Sequence, residues 1–334
     1  MRIAINGFGR IGRTVLRIME QRENIEVVAI NDLFDPEALA YLLKYDTVMG
    51  RFEGEISIAG EHLLTPRNRI RMLHEREPGD LPWQEMGIDV IIEATGIFRT
   101  REMLQRHLDA GAGRVILTVP PKDEIDAMVV IGVNEDQLKP EHRIVSNASC
   151  TTNCLAPMAK VLHEAFGIED GMINTVHAYT NDQRLADVPH KDWRRSRAAA
   201  ENIIPTTTGA ARAVGMVLPE LNGRLDGIAS RVPVPDGSVV DLVCRLKQEV
   251  TLQDVHDAVW TAAETDRLKP ILSFSTLPIV STDIIGDPHS SIYDAPFTRV
   301  SGGNFIKTLN WYDNEWGYSN RVVDLVEILG AFSA

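Results

Sequence analysis

The first half of the chain alternates short apolar runs with stretches of helical periodicity. The apolar runs have the length of buried strands and lie at 2–6, 27–30, 88–94, 115–118 and 128–131. Helical patterns lie between them at 13–21, from Asp35-Pro36 to about Tyr45, and at about 101–110, while 51–73 has the pattern of short strands with turns. Strands interleaved with helices predict an α/β fold, a Rossmann-type doubly wound parallel sheet.

The second half has longer alternating strands and fewer helices. Strands are predicted at 174–180, 238–250, 271–275, 290–293 and 304–312. Helices are predicted after Cys150, after the capping-box pattern that opens at Thr251, and over 321–329. This pattern predicts an α+β unit with a mainly antiparallel sheet. We expect one domain at 1–149 and a second at 150–316, with a helix at 317–334 packing back on the first domain.

Composition and charge exclude several classes of protein. The chain has 334 residues, of which 44% are hydrophobic and 24% charged, with three cysteines and a net charge of −13. The charge disfavours nucleic-acid binding. No apolar run is long enough to cross a bilayer, and the first residues have the pattern of a strand rather than a signal peptide. Three cysteines do not make a disulfide framework, so we expect a reducing cytoplasm as the location.

A glycine-rich turn follows the first strand. Gly7, Gly9 and Gly12 stand between that strand and a helix, and Asp32 ends the next strand. A glycine pattern alone is weak, but this context is typical of dinucleotide binding: the glycines allow close approach to a pyrophosphate and the acid takes the ribose hydroxyls. Because the Asp32 carboxylate would repel a 2′-phosphate, NAD is favoured over NADP.

A cysteine lies where a loop of small polar residues enters a helix. It is Cys150, in the stretch 146–157, with Ser149 as a plausible N-cap. The positive end of a helix dipole and unpaired N–H groups would favour the nucleophilic thiolate. Polar neighbours of this kind can also hold an oxyanion. The alternative is a buried structural cysteine, because most single cysteines are of that kind.

Further along the chain are a candidate base and candidate anion sites. His177 lies in a polar β-prone segment and could activate the thiol, although a lone histidine is more often structural. Thr206 to Ala211 resembles a phosphate-binding helix start or simply an over-capped helix. Arg231 precedes Val232-Pro233, and arginine binds phosphate well. Arg194 to Arg197 is a basic cluster that could also be a solvated or inter-subunit face. No four-ligand metal spacing appears, so no metal is expected.

Taken together, these motifs closely resemble the phosphorylating glyceraldehyde-3-phosphate dehydrogenase family over essentially the whole chain. The matching stretches are Ile5 to Arg13, Ser146 to Pro157, His177 to Arg184, Pro205 to Ala211 and Trp311 to Tyr318. The resemblance implies Cys150 as nucleophile and His177 as its base. It implies NAD as cofactor, a phosphosugar aldehyde and inorganic phosphate as substrates, and a homotetramer in which 181–200 spans subunits.

The resemblance also implies binding residues, position by position. Besides the glycine turn, it assigns to the cofactor Arg10, Ile11, Asp32, Arg76, Thr95, Thr118 and Asn314. It assigns the attacking phosphate to Ser149, Thr151, Thr208 and Gly209, and the substrate's own phosphate to Thr180 and Arg231, with Arg195 between the two. Leu33 and Pro189 match the NAD-preferring branch.

Some positions depart from this pattern. Trp193 replaces an expected smaller aliphatic residue, and 73–76, 287–290, 299–302 and 305–309 look more like erythrose-4-phosphate dehydrogenase. That branch usually lacks the intact Thr-Thr-Gly found at 207–209, so glyceraldehyde 3-phosphate is favoured. Two other classes stay open: a Cys/His hydrolase, and a non-catalytic NAD-binding protein that senses redox state through Cys150 and Cys154.

Overall fold

The computed structural model describes residues 1–332, which form two compact units. The first unit consists of Met1–Val129, Asp136–Ser149 and the residues from Ser319 onward. The second consists of Val130–Glu135 and Cys150–Tyr318. Within the described residues, no helix is both long enough and apolar enough to span a bilayer.

The first unit is built on a nine-stranded sheet in the order β10-β11-β9-β8-β1-β2-β7-β6-β5. Its strands, with the separate hairpin β3–β4, are β1 (Arg2–Asn6), β2 (Glu26–Asn31), β3 (Tyr45–Asp46), β4 (Gly50–Arg51), β5 (Ser57–Ala59), β6 (His62–Leu64), β7 (Arg69–Leu73), β8 (Val90–Glu93), β9 (Arg114–Leu117), β10 (Ala127–Met128) and β11 (Ile144–Ser146). All pairs from β10 to β7 are parallel, and β5, β6 and β7 pair antiparallel. The predicted doubly wound parallel sheet is confirmed.

Local sequence explains where the helices of this unit begin. They are α1 (Arg10–Met19), α2 (Pro36–Lys44), α3 (Trp83–Met86) and α4 (Arg101–Asp109). Asp35 caps α2 by accepting from the Ala38 N–H, and Thr100 caps α4 by accepting from the Met103 N–H. Each such cap stabilises a helix by about 1 kcal/mol. The fully buried Trp83 lies in the apolar core of this unit.

The second unit contains an eight-stranded mixed sheet in the order β13-β14-β12-β15-β19-β17-β16, with β18 paired to β19. Its strands are β12 (Ile168–Ala178), β13 (Ile204–Thr207), β14 (Leu225–Val232), β15 (Ser238–Leu246), β16 (Leu272–Ser275), β17 (Ser291–Asp294), β18 (Arg299–Ser301) and β19 (Phe305–Tyr312). Its helices are α5 (Cys150–Phe166), α6 (Ala210–Val217) and α7 (Leu252–Ala263). The last helix, α8 (Trp316–Ala331), begins in this unit and belongs to the first unit from Ser319 onward. The pairs β12–β14 and β16–β17 are parallel, and the other pairs in these strands are antiparallel, as expected.

Two of the differences from the sequence prediction have identifiable local reasons. The strand predicted at 128–131 ends at Met128, because the next residues form a turn in which the Val130 N–H donates to the Asn134 side chain and Gly132 has φ +87°. The last helix starts earlier than residue 321, because the Asp313 carboxylate accepts from the Glu315 and Trp316 N–H groups. Residues 333 and 334 of the helix predicted at 317–334 lie outside the described residues.

Candidate active site

Cys150 is the first residue of α5, where the sequence predicts a helix start. The segment leading to it is tightly held: Ala148 is fully buried with φ 54°, its N–H donates to Ser146 Oγ, and Ser146 Oγ donates to the Val119 carbonyl. A left-handed conformation costs a non-glycine residue about 1–3 kcal/mol. The fold therefore tolerates this cost in free energy, and the backbone direction just before Cys150 is fixed.

His177 lies beside Cys150 and is carried by a strand of the mixed sheet in the second unit. It is buried near the end of β12, and its Nε2 is 3.5 Å from Cys150 Sγ. The ring of Tyr312 packs edge-on against the imidazole, with 5.9 Å between the ring centroids. The structure thus brings the predicted nucleophile and base together, and strands rather than loops carry the base.

The other imidazole nitrogen has two neighbours that compete for it. His177 Nδ1 is 2.7 Å from the Ala178 carbonyl oxygen and 2.7 Å from Arg231 NH1. If Nδ1 carries the hydrogen, it donates to Ala178 and leaves the Nε2 lone pair facing the thiol. If Arg231 donates to Nδ1, the hydrogen is on Nε2, which then cannot accept the thiol proton. Only the first tautomer is a base, so Arg231 must release Nδ1 for catalysis.

The expectation of a thiolate at rest is wrong for this conformation. Cys150 is partly exposed at its surface, yet burial of the sulfur raises the pKa of the thiol to about 11, against the opposing charge of Arg231 and the hydrogen bonds of Thr151. Burial, and then the charge of Arg231, lower the pKa of His177 to about 3. Both groups are therefore neutral at pH 7. Loss of solvation outweighs the helix dipole, so the thiol proton must move when substrate binds.

The predicted phosphate residues of the second unit, other than its two arginines, lie on three parts of the chain: Thr208 and Gly209 between β13 and α6, Thr151 in α5, and Thr180 after β12. Gly209 occupies the N-cap position of α6, and Thr208 Oγ1 accepts from the Ala210 N–H. The Thr151 hydroxyl instead lies in a buried network, 2.9 Å from the Tyr312 hydroxyl. The Thr180 N–H donates to the Gln183 side chain. The α6 start therefore offers N–H groups to an anion, whereas Thr151 already has a protein partner.

Two arginines influence one another in the same unit. Arg231 lies opposite His177 in the parallel β12–β14 register. Burial and then the charge of Arg231 lower the pKa of Arg195, which forms ion pairs with Asp182 and Asp192. Two mutually repelling guanidiniums are stabilised by an anion between them. A bound phosphate would compete with the two carboxylates for Arg195.

The first unit contains a cavity of about 450 Å³ beside the glycine turn, lined among others by Gly7, Gly9, Asp32, Arg76 and Thr95. Gly7 has φ +93°, and a Cβ there would lie 2.7 Å from the Thr95 nitrogen. A Cβ on Gly12 would lie 2.2 Å from the Gly7 carbonyl oxygen. Only glycine fits at either place, and the cavity suits a dinucleotide.

The remaining predicted cofactor residues do not line this cavity. Arg10 forms an ion pair with Asp46, and the Thr118 hydroxyl donates to the Glu93 carbonyl. Ile11 lies in the first turn of α1, and Asn314 belongs to the second unit, so its part in cofactor binding stays a prediction.

Sequence reasoning missed a buried polar network beside the cavity. Glu93 is fully buried and accepts hydrogen bonds from Asn6 Nδ2 at 2.6 Å and from the Thr95 N–H at 2.9 Å. Trp83 Nε1 donates to His107 Nδ1, which places the ring hydrogen on Nε2, 3.1 Å from Glu93. The network orients two residues of the cavity wall. A charged residue inside an otherwise apolar strand was the sequence feature that could have revealed it.

Comparison with known proteins agrees with both halves of this picture. Residues 1–101 match the family model described as the NAD binding domain of glyceraldehyde 3-phosphate dehydrogenase, and residues 149–314 match the one for its C-terminal domain. The chain is 54% identical over 332 residues to the glyceraldehyde-3-phosphate dehydrogenases of Streptomyces coelicolor and Geobacillus stearothermophilus, covering 99% of this chain and 98% of each relative. It is 54% identical over 335 residues to that of Borreliella burgdorferi, covering 98% of this chain and 99% of the relative.

The chain belongs to the glyceraldehyde 3-phosphate dehydrogenase family. As a member of this family it is an NAD-dependent oxidoreductase, and the glycine turn and cavity of the first unit lie within the matched NAD-binding domain.

Removing the charge of Asp32 should relax the choice of cofactor. Asp32 lines the cavity, and its carboxylate accepts from the Phe8 and Phe34 N–H groups. Asp32→Ala should raise KM for NAD about 10-fold, which corresponds to about 1.4 kcal/mol, and lower KM for NADP because like-charge repulsion disappears. Steady-state kinetics with both cofactors measure this. Asp32→Asn, which keeps an acceptor oxygen, is the matched control; unchanged NADP kinetics in both variants would contradict the role of the charge.

Proposed function

We propose that the chain catalyses the NAD-dependent oxidative phosphorylation of D-glyceraldehyde 3-phosphate to 1,3-bisphosphoglycerate, a step of glycolysis and gluconeogenesis. The observation that carries this proposal is the 3.5 Å approach of Cys150 Sγ to His177 Nε2 at a helix start, with Arg231 on the neighbouring strand. A thiol with a paired base is the arrangement needed to hold an acyl group.

In the first half-reaction the Cys150 sulfur forms a bond to the aldehyde carbon and its proton passes to the substrate oxygen through His177, giving a hemithioacetal. His177 Nε2 then removes the hydroxyl proton as a hydride leaves the same carbon, so that a thioester remains on Cys150. Bound NAD supplies the acceptor for that hydride. Because the resting thiol and imidazole are both neutral, the base must start as the tautomer with its hydrogen on Nδ1.

In the second half-reaction an oxygen of inorganic phosphate attacks the thioester carbon and the Cys150 sulfur leaves, recovering its proton. A thioester keeps the free energy of the oxidation available for the acyl phosphate, which an oxygen ester would not. The N–H groups at the start of α6 and the Thr208 side chain support a phosphate there. Arg231 and Thr180 are proposed to bind the phosphate of the substrate, with Arg195 between the two anions.

The alternative functions considered from the sequence are less well supported than this one. A Cys/His hydrolase has no use for the NAD-binding domain. A redox sensor based on Cys150 and Cys154 would need an accessible second thiol, but Cys154 is fully buried, donates toward the Asn310 carbonyl, and has its pKa raised by burial. Erythrose 4-phosphate remains the alternative substrate, because several segments resemble that branch.

NADH formation with each aldehyde decides between these functions. We expect rapid NADH formation from D-glyceraldehyde 3-phosphate that depends on phosphate or arsenate, and a kcat/KM for erythrose 4-phosphate at least about 100-fold lower, or about 2.7 kcal/mol. The same assay without phosphate is the control, since it limits the enzyme to one turnover. Multiple turnover of the tetrose without phosphate would favour the alternative, and no NADH with either sugar would contradict a dehydrogenase.

We also propose a homotetramer located in the cytoplasm. The support for assembly is the large exposed apolar side chains of the 181–200 segment, where Leu185 is 85% and Trp193 86% exposed. Side chains of this size and exposure are typical of protein interfaces. The support for the location is three free cysteines and the lack of a disulfide among the described residues. Sedimentation velocity tests the assembly directly.

A further inference from the structure

Two buried carboxyl groups meet where β15 begins and β19 ends. Asp236 and Asp313 are each 1% exposed, and their side chains share a hydrogen bond. Strands β15 and β19 pair with Ser238 opposite Tyr312, so both acids lie directly beyond the end of this ladder. The carboxyl pair therefore ties together two chain segments that the sheet no longer holds.

Hydrogen bonding identifies which acid keeps a proton. The Asp313 carboxylate accepts from the N–H groups of Gly286, Glu315 and Trp316, at 2.7, 2.8 and 2.6 Å, and these three donors stabilise its negative charge. Asp236 accepts one N–H, from Gly237, and its Oδ2 faces no N–H donor. Burial, and then the charges of Asp313 and Glu315, raise the pKa of Asp236 to about 9. At pH 7 the Asp236 carboxyl is thus protonated and donates to Asp313.

Residues next to Asp236 and Asp313 form further hydrogen bonds through the Ser238 hydroxyl. Ser238 Oγ accepts from the Ala178 N–H at 3.1 Å, next to His177, and donates its one hydrogen to Asn314 Oδ1 at 2.6 Å. This fixes the Asn314 amide with its Oδ1 toward Ser238 and its Nδ2 hydrogens pointing away from that hydroxyl. Asn314 directly follows Asp313, so any movement of Asp313 would turn the amide.

We propose that Asp236 is a positioning residue that works as a carboxylic acid, whose proton holds Asp313 and so fixes the Asn314 amide for cofactor binding. This inference rests on the proposed function, in which NAD is bound, and on the assignment of Asn314 to NAD that the family resemblance implies. When the proton is lost, two carboxylates face each other, with Glu315 and Cys150 as the other titratable groups within electrostatic range. Their repulsion releases the turn, and NAD affinity falls as pH rises.

NAD titration calorimetry between pH 6 and pH 10 tests this, in a Cys150→Ser parent so that neither the thiol nor turnover contributes. The Kd of the parent should rise about 10-fold above pH 8, as the buried acid ionises. Adding Asp236→Asn, which keeps a donor and cannot ionise, should match the parent at pH 7 and stay flat. Adding Asp236→Ala, which removes the donor, should weaken binding about 10-fold at every pH. An Asn variant that follows the parent curve, or an Ala variant as tight as the Asn variant, would overturn the proposal.

Thermal melts of the same proteins locate the proton independently. The pKa of Asp236 is raised from its ordinary 3.8 to about 9 in the folded state. Between these two pH values only the folded state holds the proton, so the free energy of unfolding falls as pH rises from about 4 to about 9. The Tm of the Asn variant minus that of the parent should therefore increase over this range and then level off. A constant difference would refute the protonated acid. Should the cysteine-containing protein form no NADH from any aldehyde, the proposed function fails while these binding results stand.

Discussion

Cys150→Ser should abolish NADH formation, by a factor of at least about 10³, while leaving the Kd for NAD unchanged within about twofold. A serine hydroxyl in the same place is a far weaker nucleophile, and His177, with its pKa lowered by burial to about 3, is a poor base toward it. Stopped-flow measurement of the first turnover gives the rate, and calorimetry gives the affinity for NAD.

A second cysteine offers the matched control for this substitution. Cys244 is fully buried on β15. Cys244→Ala should keep kcat within about twofold and lower stability by about 1–2 kcal/mol through the cavity that it leaves. If Cys150→Ser retained substantial turnover, the thioester route would be wrong. If both variants lost activity equally, general destabilisation would explain the result instead.

His177→Asn should slow formation of the thioester by about 10²–10⁴-fold and leave the apparent pKa of the Cys150 thiol raised, as in the wild type. Asparagine cannot accept a proton from the thiol or from the hemithioacetal, whereas the neutral resting imidazole gives the thiolate no positive charge that the substitution could remove. The pre-steady-state burst of NADH measures the first effect. The pH dependence of iodoacetamide alkylation measures the second, because only the thiolate reacts.

For the wild-type protein we also expect a defined pH dependence of Cys150 alkylation. Because burial raises the pKa of the Cys150 thiol to about 11, the alkylation rate of the protein without substrate should climb steadily from pH 7 to pH 10. A plateau near pH 7 would indicate a resting thiolate–imidazolium pair. His62→Asn, on the edge strand β6, is the control and should alter neither the burst nor the profile. An unaltered burst in His177→Asn would exclude His177 as the base.

Patterns with a local physical cause were predictable from the sequence. The period-two and helical repeats, the Asp35 cap and the Thr251 capping box each depend on neighbouring residues, and the structure contains all of them. The glycine turn was predictable for the same reason, since the close approaches at Gly7 and Gly12 exclude any side chain. Strand 128–131 was overestimated because the bond from the Val130 N–H to the Asn134 side chain decides its end.

Features that depend on the degree of burial were not predictable from spacing. The motif around Cys150 favours a thiolate, but the cost of desolvation appears only once the surrounding sheet is known. The Glu93 network joins four separate elements, and the proton on Asp236 depends on an acid 77 positions further along the chain, at Asp313. A single sequence gives neither the contact nor the local dielectric.

The parallel pairing of β12 with β14 sets His177 directly opposite Arg231. A shift of one residue between these strands would turn one of the two side chains to the opposite face of the sheet. The distance between the base His177 and the anion-binding Arg231 is therefore set by the backbone hydrogen bonds between the two strands. The loops around this pair can therefore change in sequence to admit longer or shorter aldehydes without altering the His177–Arg231 distance. If the register between β12 and β14 shifted, no change in a loop would restore that distance.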